Sequence, residues 1–157
     1  MVKVLFVCLG NICRSPMAEA VFQNMVNEAG LSDKIFVDSA GTGGWHVGES
    51  AHRGTLGVLK RHAIPYNGRA RQIALRDLSE FDYILAMDKS NLANLRHYAD
   101  GSTAEMRLFL SYAYADGSVA EDEVPDPYYD GRFDYVYDLV NKGSAALLQR
   151  IRQQNGL

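Results

Sequence analysis

The sequence predicts an α/β fold in which a parallel sheet is covered by helices on both faces. Short apolar runs alternate with segments whose apolar residues recur every three or four positions, a pattern typical of repeated strand and helix units. The 157 residues, 47% of them hydrophobic, predict a single domain over 1–157 with one core. A net charge of −3, without a run of lysine or arginine, predicts no nucleic-acid or anionic-membrane partner.

The elements can be placed in order along the chain. Ser15 and Pro16 are predicted to cap and begin a first helix that ends at Gly30. The longest irregular stretch, 115–132, is a functional candidate because of its length. Strands are predicted at 2–7, 34–39, 83–87 and 106–110, and further helices at about 51–62, 90–98 and 134–152.

The small number of cysteines fits the cellular location that the sequence predicts. The apolar run 4–9 is too short to span a bilayer and lacks a signal-peptide cleavage site, so a cytoplasmic location is expected. The only cysteines, Cys8 and Cys13, are too few for a disulfide framework and lack the partners of a zinc site. In a reducing compartment such a pair is more typical of chemistry than of structure.

The segment 8–16 lies between the first strand and the first helix. Ligands of parallel sheets bind beyond the carboxyl ends of the strands, where a helix N-terminus presents N–H groups and positive charge. Gly10 and Asn11 tolerate positive φ, so the loop can curl with its N–H groups pointing inward, and Arg14 can bind two oxygens of an oxyanion. The segment therefore predicts a phosphate site. The glycine patterns of nucleotide-binding loops are absent, which disfavours a nucleotide.

The same segment predicts nucleophilic chemistry. Its positive environment favours the thiolate of Cys8, which can attack phosphorus in line while Arg14 and the loop N–H groups stabilise the transition state. The Ser15 hydroxyl can donate to the sulfur and make it a better leaving group. A lone cysteine at a strand end is more often a small buried hydrophobe, but the complete segment reverses that preference. No metal is required for this chemistry.

The Cys-x5-Arg-Ser segment at a strand-to-helix turn resembles the low-molecular-weight protein tyrosine phosphatases. The similarity covers nearly the whole chain and extends to Asp126-Pro127-Tyr128-Tyr129 and to the segments 38–42, 70–73 and 83–88. It implies a three-layer sandwich with a four-stranded parallel sheet in the order 2-1-3-4 and helices on both faces. It also implies a tyrosine-phosphorylated protein substrate and no cofactor.

The resemblance also assigns roles to individual residues. Cys8 is implied as the nucleophile, Arg14 as the phosphate clamp and Asp126 as the general acid that later activates water, a role worth about 10²–10⁴ in rate. Without Cys8 in the sequence, Asp126 would be read as an ordinary turn residue before proline. Substrate binding is implied for Leu9, Gly10, Asn11, Ile12, Cys13, Ser15, Trp45, Tyr128 and Tyr129.

One position departs from the family pattern. In relatives, the phosphate loop, which corresponds to residues 8–14 here, is braced by the equivalents of Asn11, Ser15 and Ser39 together with a histidine. Gly68 stands at the position of that histidine in this chain. We therefore expect an incomplete hydrogen-bond network and a looser loop, unless water or His46 takes the place of the missing group.

Other functions are weighed against this one. Thioredoxin-coupled arsenate reductases share the loop but use further cysteines, and none follows Cys13. Arginine phosphatases of the same family carry threonine where this chain has Ile12, so the residue favours the tyrosine phosphatases. A module of a different class would bind phosphate without catalysis, or sense oxidants through a reversible disulfide between Cys8 and Cys13. Phosphorylation of Tyr128 or Tyr129 and the oligomeric state stay open.

Overall fold

A four-stranded parallel sheet forms the centre of the structure, a computed structural model that describes all residues 1–157. The strands are β1 (Val2–Cys8), β2 (Ile35–Gly41), β3 (Tyr83–Ala86) and β4 (Glu105–Leu108). They pair in parallel in the order β2-β1-β3-β4. The predicted α/β class and strand order are therefore confirmed.

Seven helices surround the sheet. Helix α1 follows β1, and the long α7 ends the chain and packs beside α1 on the same face. The helices are α1 (Arg14–Glu28), α2 (Arg53–Arg61), α3 (Asp77–Glu80), α4 (Lys89–His97), α5 (Ser111–Ala115), α6 (Pro127–Asp130) and α7 (Phe133–Asn155). None of them is both long enough and apolar enough to cross a membrane.

Strand β1 is buried on both faces because its side chains alternate between two hydrophobic clusters. Val4, Phe6 and Cys8 belong to the larger cluster beneath α1 and α7. Leu5 and Val7 belong to the smaller cluster beneath α3 and α4. This double burial explains why the strand is nearly continuous in its apolar character, as is typical of parallel sheets. It also makes β1 a rigid support for the residues at its carboxyl end.

The start of α1 differs from the prediction. Cys13, not Ser15, occupies the N-cap position, and it makes no side-chain capping bond. Ser15 lies inside the first turn, where its hydroxyl contacts the sulfur of Cys8. Pro16 is tolerated at the third helical position because N–H groups in the first turn have no partner within a helix. The prediction of a Ser15 cap was wrong because the Ser15 hydroxyl contacts Cys8, a residue outside the helix, and does not cap the helix backbone.

Other element boundaries differ by a few residues. Strand β2 extends to Gly41 because its last residues pair with the end of β1. The stretch predicted to be irregular, 115–132, contains the short helix α6. Helices α3 and α5 were not predicted, since each has only four or five residues and too few positions to display a helical period.

Candidate active site

Cys8 lies at the carboxyl end of β1 and is only 3% exposed. Its Sγ atom lies 3.0 Å from the Ser15 hydroxyl and accepts a hydrogen bond from the Asn11 N–H at 3.3 Å. The two predicted residues Asn11 and Ser15 therefore lie behind the sulfur and support it. They do not line the pocket in front of it.

The loop after Cys8 curls as expected, but only one residue takes the positive φ. Asn11 has φ of 56°, while Gly10 keeps a negative φ. The backbone is also tied to the segment after β2, because Thr42 N donates to Cys8 O and Gly43 N donates to Leu9 O, each at 2.9 Å. This bracing holds the curled loop against the edge of the sheet.

Arg14 begins α1 and is 4% exposed. Its Nη1 donates to Asp88 Oδ2 at 2.7 Å and to Val124 O at 3.0 Å, while Nη2 lies 3.7 Å from Asp126 Oδ2. Burial by itself would lower the pKa of the guanidinium, but the negative charge of Cys8, Asp88 and Asp126 outweighs burial and raises the pKa. Arg14 is therefore a fixed positive charge beside the sulfur.

Asp88 is a site residue that the prediction omitted. It directly follows the end of β3 and caps α4, because its Oδ1 accepts the Asn91 N–H at 2.8 Å. Its other oxygen binds Arg14 at 2.7 Å. The sequence held one signal for this role: a carboxylate placed immediately after a buried strand, at the sheet edge where ligands bind.

Asp126 lies in the long loop and is held at the mouth of the site. Its Oδ1 accepts the Tyr128 N–H at 3.0 Å as the N-cap of α6. The loop is anchored two residues earlier, because Val124 N donates to Met87 O at 2.8 Å and Val124 O accepts from Arg14. With Oδ1 occupied, Oδ2 is the oxygen that remains available in the pocket that Asp126 and Cys8 both line.

A pocket of about 290 Å³ opens above Cys8. Its floor is formed by the phosphate loop and Arg14, and its mouth carries exposed aromatic side chains. Trp45 is 71% exposed and Tyr129 is 85% exposed, so these two form a rim, and Tyr128 beside them is 49% exposed. The lining residues are Cys8, Leu9, Gly10, Ile12, Cys13, Arg14, Trp45, His46, Asp126, Tyr128 and Tyr129.

Two glycines allow the rim to approach the loop. A Cβ at Gly43 would lie 1.9 Å from the Trp45 ring, so the indole lies directly over that residue. A Cβ at Gly10 would lie 3.0 Å from His46 Cδ2. His46 is thus a pocket residue that was not predicted as one, and its Nδ1 lies 3.0 Å from Glu49 Oε2.

The predicted gap in the bracing network does not exist in the structure. His46 does not fill it, since its only side-chain hydrogen bond is to Glu49. Instead, Glu19 accepts hydrogen bonds from Ser39 Oγ at 2.5 Å and from the Tyr66 hydroxyl at 3.0 Å. The expectation of an incomplete network was wrong because residues distant in sequence complete it.

Cys13 lines the pocket as a free thiol, and Cys8 is also free. Burial and then the charges of Cys8 and Asp126 raise the pKa of Cys13 to about 12. Cys13 therefore keeps its proton at neutral pH. No group of three or more histidine, cysteine or acidic side chains is arranged to hold a metal ion.

The chain is similar over its whole length to known phosphatases. The sequence model of the family described as Low molecular weight phosphotyrosine protein phosphatase matches residues 3–156. Low molecular weight protein-tyrosine-phosphatase YfkJ of Bacillus subtilis is 47% identical over 159 residues, which cover 100% of both chains.

Solved structures agree in fold. The crystal structure of YfkJ has a TM-score of 0.92 at 45% identity and covers 99% of this chain and 97% of its own. The crystal structure of DARP, a drosophila arginine phosphatase, has a TM-score of 0.88 at 37% identity and covers 96% of this chain. The chain therefore belongs to the low molecular weight phosphotyrosine protein phosphatase family and is a cysteine-dependent protein tyrosine phosphatase.

Proposed function

We propose that this site removes phosphate from tyrosine residues of proteins, with Cys8, Arg14 and Asp126 as its catalytic residues. The observation that carries the proposal is the convergence of these three side chains on one pocket, although they come from the end of β1, the first turn of α1 and the loop before α6. A nucleophile, a fixed cation and a carboxyl group are the set that transfer of a phosphoryl group from an aryl ester requires.

In the first step, the Cys8 thiolate attacks phosphorus opposite the tyrosyl oxygen. The S–P bond forms as the P–O bond breaks, and Asp126 Oδ2 gives its proton to the leaving phenolate. Arg14 and the loop N–H groups stabilise charge on the three equatorial oxygens. Arg14 is suited to this task because Asp88 and Val124 hold its guanidinium in place before the substrate arrives.

In the second step, water hydrolyses the cysteinyl-phosphate. Asp126 accepts a proton from the water as its oxygen attacks phosphorus, the S–P bond breaks and the electron pair returns to the Cys8 sulfur. The Ser15 hydroxyl, 3.0 Å away, stabilises the departing thiolate. Inorganic phosphate is released and Asp126 is again protonated.

The shape of the pocket favours phosphotyrosine over phosphoserine. The reacting sulfur is almost completely buried, while the side chains of Trp45, Tyr128 and Tyr129 rise around the mouth. A tyrosyl ring is long enough to place its phosphate on the loop while it contacts these aromatic side chains. A seryl phosphate on a short side chain would require the peptide backbone itself to enter the pocket.

Hydrolysis of p-nitrophenyl phosphate in a buffer with EDTA tests the proposal. Cys8→Ser should abolish turnover. Asp126→Ala should lower kcat on a phosphotyrosyl peptide by about 10²–10⁴, and by less on p-nitrophenyl phosphate, whose leaving group needs less protonation. Asp130→Ala, a change to an exposed acid of the same loop that pairs with Arg132, is the matched control and should leave kcat unchanged. Full activity of Cys8→Ser would refute the assigned roles.

Phosphoarginine is the competing substrate, because one similar structure is named an arginine phosphatase. Ile12 supplies an apolar side chain at the pocket floor, which favours the planar tyrosyl ring over a cationic guanidinium. We expect kcat/KM for a phosphotyrosyl peptide to exceed that for a phosphoarginyl peptide. The reverse order would assign the chain to arginine phosphatases.

We also propose that residues 1–157 act as one phosphatase domain in the cytoplasm. The reducing cytoplasm would keep Cys8 and Cys13, both free thiols here, in that state. A role as a redox sensor predicts that peroxide inactivation is reversed by a dithiol and becomes irreversible in Cys13→Ser. Equal recovery in both proteins would exclude protection by Cys13.

A further inference from the structure

A chain of hydrogen bonds runs from the Cys8 sulfur to the far side of the phosphate loop. The Asn11 side chain is its centre. Asn11 Oδ1 accepts the backbone N–H of Arg71 at 3.0 Å, which fixes the orientation of the amide. Nδ2 therefore faces two hydroxyls and donates to Ser15 Oγ at 2.8 Å and to Ser39 Oγ at 3.0 Å. Both hydroxyl oxygens act as acceptors for Asn11.

This arrangement fixes where the two hydroxyl protons point. Because Ser15 Oγ accepts from Asn11, its own proton is available for the Cys8 sulfur at 3.0 Å. In the same way, the Ser39 proton points to Glu19 Oε1 at 2.5 Å. Glu19 therefore ends the chain as an acceptor, and a charged acceptor polarises the Ser39 hydroxyl and strengthens the bond that Ser39 Oγ accepts from Asn11.

Tyr66 supplies the last donor. Its hydroxyl bonds the same Glu19 oxygen at 3.0 Å, 47 residues away in sequence. The phenol lies over Gly68, where a Cβ would be only 2.3 Å from Tyr66 Oη. Gly68 therefore leaves the space that Tyr66 occupies. Burial and the neighbouring Glu19 raise the pKa of Tyr66, so the phenol keeps its proton and remains a donor.

Glu19 needs both donors because its surroundings disfavour its charge. Its pKa is raised above the ordinary value, because burial and the charge of Asp38 on β2 outweigh the bonds from Ser39 and Tyr66 and the charge of Arg71, which lower the pKa. A protonated Glu19 would no longer attract the Ser39 proton, so Ser39 Oγ would become a weaker acceptor for Asn11 and would hold the Asn11 amide less firmly against Ser15.

We propose that Tyr66 is a positioning residue that acts through Glu19 to keep the Ser15 hydroxyl donating to the Cys8 sulfur. This inference rests on the proposed function, since it concerns the same nucleophile. It adds two residues outside the pocket whose contacts govern how readily the thiolate forms and how readily it leaves phosphorus.

Tyr66→Phe removes only the terminal donor and tests the proposal. Iodoacetate alkylation of Cys8 is followed against pH by mass spectrometry of its peptide. The charge of Arg14 acts on the sulfur, and Cys13, Asp126 and His46 line the same pocket, but the variant leaves all four residues unchanged. We expect the pH of half-maximal alkylation to rise by about one unit, a tenfold loss of ionised sulfur at a given pH. Tyr114→Phe, at an exposed tyrosine without a side-chain hydrogen bond, should leave the profile unchanged.

Turnover of p-nitrophenyl phosphate provides the second readout. Tyr66→Phe should lower kcat about three- to tenfold with little change in KM, because the sulfur is a poorer leaving group while the binding contacts remain. Glu19→Gln, which keeps the volume but cannot accept both donors on a charged oxygen, should shift the alkylation profile in the same direction. It also keeps the proposal testable if Tyr66→Phe does not fold.

Three results would overturn or separate the two proposals. Unchanged alkylation and kcat in a folded Tyr66→Phe would refute the positioning role. A lower melting temperature with an unchanged alkylation profile would also refute it, since the hydroxyl would then serve stability alone. A shifted profile in a chain without phosphatase activity would support the positioning role and refute the proposed function.

Discussion

Asp88→Asn tests whether a single carboxylate holds the Arg14 guanidinium in its working position. The substitution removes the negative charge that lies 2.7 Å from Arg14 Nη1. It keeps a side-chain oxygen that can accept the Asn91 N–H and so preserves the cap of α4. The perturbation is therefore electrostatic, with little change in volume.

The expected change in the free energy of unfolding follows from how deeply Arg14 and Asp88 are buried. Removing one partner of a fully buried ion pair costs about 3–5 kcal/mol. The Arg14 side chain is 4% exposed but that of Asp88 is 24% exposed, and Arg14 keeps its bond to Val124 O. Water can thus replace part of the lost interaction, and we expect the free energy of unfolding to fall by about 2 kcal/mol. Misalignment of Arg14 should lower kcat/KM about tenfold or more.

Urea denaturation and p-nitrophenyl phosphate kinetics measure the two effects. Asp138→Asn, which breaks the exposed pair between Asp138 and Lys142, is the matched control and should change stability by less than about 0.5 kcal/mol. Asp88→Ala should lose about 1 kcal/mol more than Asp88→Asn, because it also removes the helix cap. Wild-type stability and kcat/KM in Asp88→Asn would refute the orienting role of Asp88.

Three further predictions concern the rim, the second thiol and the loop. Gly43→Ala would displace Trp45 and should raise KM for a phosphotyrosyl peptide with little effect on kcat; an unchanged KM in steady-state kinetics would exclude a binding role for the indole. Burial raises the pKa of Cys13 from its ordinary 9.0 to about 12, so iodoacetate at pH 8 should label Cys13 only in urea, and the stability that its protonated form provides should be lost as pH rises above 9. Inorganic phosphate at ten times its dissociation constant should stabilise the fold by about 1.4 kcal/mol in thermal melts, and no shift in Tm would contradict a phosphate site at the loop.

The parts of the site within one segment could be predicted from the sequence. The segment 8–14 joins the end of a buried strand to the start of a helix, so the position of Cys8, Gly10, Asn11 and Arg14 at the anion-binding edge follows from local patterns and from the rule for parallel sheets. The alternation of strands and helices predicts a parallel sheet but does not say which strands are adjacent in it. The strand order was therefore predicted from the family resemblance.

Tertiary partners explain what the sequence could not indicate. The pattern Ser15-Pro16 is typical of a helix cap, but the serine hydroxyl binds a sulfur seven residues earlier. The pair of Glu19 and Tyr66 spans 47 residues and has no periodic signature. From the sequence, Gly68 indicated a gap in the hydrogen-bond network that braces the loop. In the structure, the same glycine leaves space for the phenol of Tyr66, two residues earlier.

Direct detection of the phosphorylated enzyme tests the central claim that the Cys8 sulfur carries the phosphoryl group. Asp126→Ala, which slows hydrolysis of the intermediate, is mixed with p-nitrophenyl phosphate, quenched in acid and digested for mass spectrometry. One phosphoryl group on the peptide that contains Cys8, absent when Cys8 is also replaced by serine, is the predicted result. A phosphoryl group on any other residue, or release of p-nitrophenol by Cys8→Ser at the wild-type rate, would contradict the assignment.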